Sequence, residues 1–270
     1  MYAFEFLVRG GKTPFCYHSL PSANNCVLSA PPLAMNPEEL ALPAESNAEE
    51  LELPEEEASP PSHLGFPALR RHLLILDLNG LLLDRRRTQN DSSSLGEPDL
   101  VYSNGASRYS VFLRPHALNF CCWALSKFHC AVWSSAQLVN VKPLIALLFG
   151  DRAVELQFVW GQECCTQGKR PRGGNGKPDF LKELEEVWRR GISTPLTTLL
   201  IDDSPSKAVR NPPHTALHPP AFTLEQAGSD VALSETGFLR SLLARAALAP
   251  NIPDFVACLG HQEQSCDVCV

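Results

Sequence analysis

Three short apolar runs in the sequence are each followed by polar side chains of the kinds that bind phosphate or a metal ion. The runs span residues 72–78, 130–133 and 197–201, and the polar residues at their ends are Asp77, Asn79, Ser134, Asp202 and Asp203. Lys182 lies before the third run, in a segment with helical spacing of its apolar residues. Carboxylates from two such runs make a hard oxygen site suited to Mg²⁺. With a phosphate held by the metal, the hydroxyl and the lysine, Asp77 can act as a nucleophile and form an aspartyl-phosphate.

Each of these residues also has a plain structural explanation. An Asp that follows a strand often starts a turn, and Ser134 is a good N-cap for a helix that begins near Gln137. Lys182 can be an ordinary solvated residue of a helix. Taken singly, these structural roles are the more common ones. Taken together, however, the residues favour a single phosphate- and metal-binding site, because polar groups follow three strands in the order expected of one site.

The pattern along the chain alternates short strands with helices. Helices are predicted over residues 116–128, 137–149, 180–190 and 232–248, and a further strand over 157–160. This alternation predicts an α/β fold of three α/β/α layers, Rossmann-like, with a mostly parallel central sheet and a ligand site beyond the carboxyl ends of its strands. Two polar segments interrupt the pattern. They are a flap with Arg85, Arg86 and Arg87 at residues 84–108 and a basic, Gly-rich loop at 169–177.

Charge and composition divide the chain into three parts. Residues 1–62 carry only Arg9 and Lys12 against ten glutamates, and this Glu- and Pro-rich segment is predicted to be disordered. Residues 64–249 form the predicted folded domain, and residues 250–270 are expected to be a flexible tail. The net charge of −7 belongs to the N-terminal segment, which leaves the domain almost neutral. Such a domain lacks the basic footprint of a nucleic-acid-binding protein.

The cysteines and the apolar runs indicate an intracellular protein without a membrane span. Ten cysteines are scattered through the chain, and no secretory signal opens it, so reduced thiols are expected. Cys266 and Cys269 form a single CxxC, which is more often a free pair of thiols than a zinc site. No apolar run is long enough to cross a bilayer. The nucleus or the cytoplasm is the expected compartment, with the mitochondrion as the alternative.

Four segments resemble the four motifs of the haloacid dehalogenase (HAD) superfamily. They read LLILDLNGLL, AVWSSA, FLKELEEVW and LLIDDSPSKA, at residues 73–82, 131–136, 180–188 and 199–208. Together with the Arg-Pro segment VFLRPHALNF at 111–120, they resemble more narrowly the NLI-interacting-factor-like branch, which includes phosphatases of the RNA polymerase II C-terminal tail. The resemblance covers roughly residues 70–225. It implies a HAD fold without a large cap domain and, as substrate, a phosphorylated or extended protein segment.

The resemblance also implies a role for each residue. Asp77 would be the nucleophile, Ser134 would bind the phosphate, and Lys182 would neutralise it, with Lys177 as the alternative lysine. Asp202 and Asp203 would complete the Mg²⁺ site, together with Asp77 and the backbone carbonyl of Asn79.

One departure from the family pattern concerns Asn79, which stands where the family has a second Asp. That Asp protonates the leaving oxygen and then activates water, and an amide cannot exchange this proton. General acid–base assistance is typically worth ~10²–10⁴ in rate, so turnover should be slow. Three interpretations remain: a slow phosphoprotein phosphatase, a binding module that recognises a phosphorylated or extended peptide, and a presequence receptor. The last resembles the subunit of the mitochondrial inner-membrane translocase that shares this domain. The phosphatase is favoured because the nucleophile, hydroxyl, lysine and metal carboxylates all remain.

Overall fold

Strands and helices alternate along the computed structural model, which describes residues 7–8, 72–88, 96–172 and 177–265. The strands are β1 (Leu7–Val8), β2 (Leu73–Leu76), β3 (Leu83–Arg87), β4 (Leu100–Asn104), β5 (Ser107–Leu113), β6 (His129–Trp133), β7 (Val159–Trp160), β8 (Thr166–Arg172), β9 (Lys177–Leu181), β10 (Thr198–Ile201) and β11 (Ala216–Leu217). The α-helices are α1 (Ala117–Lys127), α2 (Leu138–Phe149), α3 (Glu185–Arg189), α4 (Pro205–Ala208), α5 (Phe238–Ala246) and α6 (Ile252–Ser265).

A five-stranded sheet in the order β11-β10-β2-β6-β7 forms the centre of the domain. All four of its strand pairs are parallel, so the prediction of a mostly parallel sheet is confirmed. Strand β2 lies between β10 and β6, with Leu76 opposite Ile201 on one side and Val132 on the other. The carboxyl ends of the three strands that precede the predicted site residues are therefore neighbours at one edge.

Both faces of the sheet are covered, which makes the fold three-layered. Leu74 and Leu76 of β2 belong to the larger apolar core, to which α1, α2 and α5 contribute. Leu73 and Ile75 alternate with them and belong to a second core, which contains Val187 of α3. A strand that is apolar at every position is what burial on two faces requires. The three-layer α/β/α prediction is thus confirmed.

Most of the described residues in the polar stretch at 84–108, which was predicted to be a flap, belong to an antiparallel sheet. Its strands lie in the order β1-β4-β5-β3, with β5 paired to both β3 and β4. Leu83, Leu100, Tyr102 and Val111 from this sheet are buried against the larger core. The run of three arginines concealed β3, because Leu83 is the only buried residue of this strand.

A hairpin of β8 and β9 replaces most of the predicted basic loop and the start of the predicted helix. Its strands are antiparallel, and the register shifts between Gln167 and Pro171. The helix predicted over residues 180–190 is wrong at its beginning, because Phe180 and Leu181 belong to β9 and α3 starts only at Glu185. Pairing with β8, which the local sequence does not show, determines this difference.

Both terminal segments contain structure that composition did not predict. Leu7–Val8, within the segment expected to be disordered, pairs with β4 as an edge strand. The expected flexible tail at 250–270 begins with α6, where Ile252 and Val256 are buried against the larger core. Cys266 and Cys269 lie outside the described residues. Within the described residues, no helix is both long and apolar enough to cross a membrane.

Arg114 of the Arg-Pro segment connects three parts of the domain through its guanidinium group. It donates to both carboxylate oxygens of Asp230, at 3.0 and 2.8 Å, and to the carbonyl oxygen of Leu81 at 3.1 Å. Its side chain is only 2% exposed. A bidentate pair at this depth holds the loop after β2 against the chain that leads into α5.

We predict that Arg114→Leu lowers the free energy of unfolding by about 3–5 kcal/mol, because the substitution leaves the carboxylate of Asp230, only 11% exposed, without its charged partner. Arg210→Ala is the control, since it removes an exposed pair with Glu183 and should cost less than about 1 kcal/mol. Urea denaturation followed by circular dichroism measures both values. Equal losses for the two variants would contradict a structural role for the Arg114 pair.

Candidate functional site

Three carboxylates meet at the carboxyl edge of the parallel sheet. Asp77 directly follows β2, and Asp202 and Asp203 follow β10; one oxygen of each lies within 4.8 Å of the others. The parallel pairing of β2 with β10 brings the acids together, since the Asp77 amide donates to the carbonyl oxygen of Ile201 at 2.9 Å. The structure therefore brings together the three acids that the sequence singled out.

Lys182 lies beneath these acids and is fully buried. Its Nζ atom is 3.0 Å from Asp77 Oδ1 and donates to Asp202 Oδ2 at 2.5 Å. The residue directly follows β9, and its backbone amide donates to the carbonyl oxygen of Lys207 at 2.8 Å. Lys182 thus enters the site from the end of a hairpin strand rather than from a helix. Lys177, the alternative lysine, is the first residue of β9.

Lys207 is a residue of this site that the sequence analysis did not assign. Its Nζ atom is 2.6 Å from Asp77 Oδ2, 2.9 Å from Asp202 Oδ1 and 3.6 Å from Asp203 Oδ1. The short helix α4 begins at Pro205 and turns the lysine back over the two acids that precede it. A lysine four or five residues after paired acids, across a predicted helix start, is the signal that could have identified it.

The two lysines determine the protonation of the nucleophile candidate. Burial alone would raise the pKa of Asp77, but the ammonium groups of Lys182 and Lys207 outweigh burial and hold that pKa below its usual value. Burial would likewise lower the pKa of Lys207, and the carboxylates of Asp77 and Asp202 raise it instead. At neutral pH Asp77 is therefore a carboxylate and Lys207 an ammonium.

Asp203 has a different environment from the other two acids. Its pKa is raised by burial and, in spite of Lys207, by the nearby charges of Asp77 and Asp202. Its Oδ1 atom is buried and has no hydrogen-bond partner among the described residues. The carboxylate also packs on Gly80, which has φ of +85°, and a Cβ atom at that position would be 2.7 Å from the Asp203 carboxyl carbon. Glycine is needed here for both reasons.

The donor set fits a hard divalent cation. Carboxylate oxygens are the ligands that Mg²⁺ prefers, and Asp203 Oδ1 is a buried acceptor with no donor to satisfy it. Asp77, Asp202 and Asp203 are the residues that would hold the ion. Lys182 and Lys207 would remain beside them as donors for phosphate oxygens.

Ser134 directly follows the neighbouring strand β6 and is buried. Its hydroxyl oxygen accepts from the amide of Ala136 at 3.2 Å, and its own amide donates to the carbonyl oxygen of Trp160 at 2.9 Å. The expected helix cap lies elsewhere, because Glu163 accepts from the amide of Leu138 at the start of α2. No acceptor for the Ser134 hydroxyl proton lies among the described residues, so this proton can be donated to a ligand.

Asn79 is exposed and lies outside the lysine–carboxylate cluster. Its Oδ1 atom accepts from the backbone amide of Arg85 on β3 at 2.8 Å. The Arg85 side chain in turn donates to the Tyr102 hydroxyl at 3.1 Å and stacks over Tyr109. The amide therefore couples the loop after Asp77 to the antiparallel sheet.

We predict that Asp203→Asn raises the melting temperature of the metal-free protein at neutral pH. A carboxyl group whose pKa is raised by folding opposes stability above that pKa, and the opposition disappears below its unfolded value near 3.8. The gain should therefore be present at neutral pH and shrink as the pH falls. Thermal melts in EDTA across this range measure it. A gain that does not change with pH would contradict the assignment.

Comparisons with known proteins identify the family of the chain. A family model described as NLI interacting factor-like phosphatase matches residues 72–247, more than half of the chain. No curated protein matches the chain.

Among solved structures, the chain is similar to the fission yeast RNA polymerase II CTD phosphatase Fcp1 bound to beryllium fluoride, with 13% identity over 67% of this chain and 57% of that one and a TM-score of 0.38. A second structure, of Fcp1 as an essential RNA polymerase II CTD phosphatase, gives 12% identity over 71% and 53% of the two chains and a TM-score of 0.39. The chain thus spans little more than half the length of these relatives. The match of the family model shows that the chain belongs to the NLI interacting factor-like phosphatases, a branch of the HAD superfamily.

Proposed function

We propose that the chain is a slow, Mg²⁺-assisted phosphatase that acts on phosphoserine or phosphothreonine in protein segments. The observation that supports it best is the buried Asp77 carboxylate, which follows the central strand and contacts two ammonium groups. Two cations within hydrogen-bonding distance of a nucleophile are what the transfer of an anionic phosphoryl group requires.

In the first step an oxygen of Asp77 attacks the phosphorus. The Asp77–phosphorus bond forms as the bond to the seryl or threonyl oxygen breaks, and that oxygen leaves as an alcohol after it takes a proton from water. Lys182 and Lys207, already within 3.0 Å of the nucleophile, neutralise the phosphoryl oxygens. The hydroxyl of Ser134 donates to a further oxygen. When bound, Mg²⁺ supplies additional positive charge for the phosphoryl group.

In the second step water attacks the aspartyl-phosphate, which releases inorganic phosphate and restores Asp77. Both steps move a proton that a carboxyl group at position 79 would carry. Asn79 cannot carry it, and its side-chain oxygen is held by the amide of Arg85. Bulk water must take over the proton transfer, so turnover is slow.

Support for a protein substrate comes from the family and from the chain between β2 and α1. In the described part of this segment, the insertion is a small antiparallel sheet rather than a cap domain. A site without a cap is open to a side chain carried on an extended segment. The compartment in which such a substrate is met stays a prediction from the sequence.

A second candidate function is phosphopeptide binding without hydrolysis. The observation in its favour is Asn79, because the groups that capture phosphate are all present and the one that completes turnover is replaced. Such a module would retain the phosphorylated segment through Lys182, Lys207 and Ser134.

We predict slow hydrolysis of p-nitrophenyl phosphate by the wild type at millimolar Mg²⁺ and none by Asp77→Asn. Asn79→Asp should raise kcat by about 10²–10⁴, the usual contribution of general acid–base catalysis. A carboxylate oxygen at this position can still accept the hydrogen bond from the backbone amide of Arg85, so the loop should keep its structure. A phosphoserine peptide, assayed by phosphate release, tests the preferred substrate class.

Asn119→Asp is the matched control, since it makes the same change on an exposed position of α1 and should leave kcat unaltered. If the wild type and Asn79→Asp are both inert on both substrates, the phosphatase proposal fails. Retention of the phosphopeptide by those inert proteins, measured by fluorescence anisotropy, would then establish the binding function.

A further inference from the structure

Lys207 contacts all three carboxylates that form the candidate metal site. Its single Nζ atom lies 2.6, 2.9 and 3.6 Å from oxygens of Asp77, Asp202 and Asp203. The first two distances are hydrogen bonds, whereas the third is an ion pair beyond hydrogen-bonding distance, which leaves Asp203 Oδ1 without a donor among the described residues. Among the described residues, no other lysine or arginine contacts all three.

Lys182 differs from Lys207 in this respect. It contacts Asp77 and Asp202 from the side of β9, and no contact joins it to Asp203 within the described part of the chain. Lys182 therefore leaves the Asp203 side of the cluster open. The Lys207 ammonium lies on that side, where an ion coordinated by the three acids would also have to lie.

The position of Lys207 is fixed by the backbone on both sides of it. Its amide donates to the carbonyl oxygen of Ser204 at 3.0 Å, and its own carbonyl accepts from the Lys182 amide at 2.8 Å. The residue is 8% exposed, so its long side chain has little freedom to turn towards water. The ammonium is thus a built-in part of the site rather than a surface group folded over it.

Charge balance gives the arrangement a consequence for metal binding. Three carboxylates against two ammonium groups leave the cluster with a formal charge of −1. Without Lys207 the same acids would carry −2, which matches a divalent cation. A divalent ion must either displace the Lys207 ammonium or bind beside it against charge repulsion.

We infer that Lys207 is a positioning residue that competes with Mg²⁺ for Asp77, Asp202 and Asp203 and so sets the metal affinity of the site. The inference rests on the proposed phosphoryl-transfer site, but it concerns metal binding before any substrate arrives. Its consequence is a site that keeps Asp77 ionised and neutralised without metal and takes up Mg²⁺ only at high concentration.

The test is isothermal titration calorimetry of Mg²⁺ into the full, EDTA-stripped chain without substrate. Lys207→Met removes the charge and keeps most of the side-chain length, and it should bind Mg²⁺ at least about tenfold more tightly than the wild type. Lys127→Met removes a lysine from the exposed end of α1 and should bind as the wild type does. Adding Asp203→Asn to Lys207→Met should abolish the tight site, which places the ion on these acids.

Affinity that is equal or weaker in Lys207→Met overturns the inference. If Lys207→Met is too unstable without metal for calorimetry, its thermal melts with and without Mg²⁺ replace the titration. Mg²⁺ must then raise its melting temperature by more than that of Lys127→Met, and a smaller rise overturns the inference. The wild type provides an independent check. If it binds Mg²⁺ with micromolar affinity and Asp203→Asn abolishes that binding, the Lys207 ammonium does not compete for the site and the inference is overturned. None of these readouts depends on turnover, so an inactive protein would refute the phosphatase proposal and leave this result intact.

Discussion

The pairing of Asp77 and Asp202 with two lysines at the carboxyl edge of the sheet is the interaction on which the site depends. All four side chains are buried, and a buried charge without a partner is among the costliest defects a fold can contain. Each acid is in contact with both ammonium groups, so the removal of any one of the four side chains changes the charge balance of a buried cluster. The chain after β9 and the start of α4 must therefore converge on the ends of β2 and β10, and the backbone hydrogen bond between the two lysine residues shows that they do.

The parallel sheet and the acids at its edge could be predicted from the sequence because both are local signals. A strand buried on two faces is apolar at every position, and an Asp that ends such a strand is visible without knowing its neighbours. Asp77, Asp202 and Asp203 were identified in this way and lie together in the structure. Lys207 was not, because its role depends on how tightly a four-residue helix turns after Asp203. Lys182 was identified from its motif, yet its setting was wrong, since the hairpin strand before it is defined by pairing rather than by periodicity.

Similar reasoning explains the other differences. In strand β3 of the antiparallel sheet, Arg85 lies on the same face as the buried residues Leu83 and Val111, so the composition of the strand resembles that of a loop. Helix α6 begins two residues after Pro250, within the segment predicted to be a flexible tail, and the contacts of Ile252 and Val256 with the larger core account for its position. In both cases tertiary contacts, rather than local propensity, decide the structure.

The site is better equipped to hold a phosphoryl group than to release it. Its cations are permanent parts of the chain, and they keep the Asp77 carboxylate ionised through burial that would otherwise protonate it. At the position where the proposed mechanism would need a proton carrier, the chain has Asn79, whose side-chain oxygen accepts a hydrogen bond from the backbone amide of Arg85. Under the proposed function, capture would depend on charge and would be retained, whereas turnover would need a proton that no side chain at position 79 supplies. An aspartyl-phosphate formed here would be stabilised by two ammonium groups and attacked only by unassisted water. The same residues would therefore serve either of the two proposed functions, a slow enzyme or a binding module, and the lifetime of that intermediate is the property that separates the two.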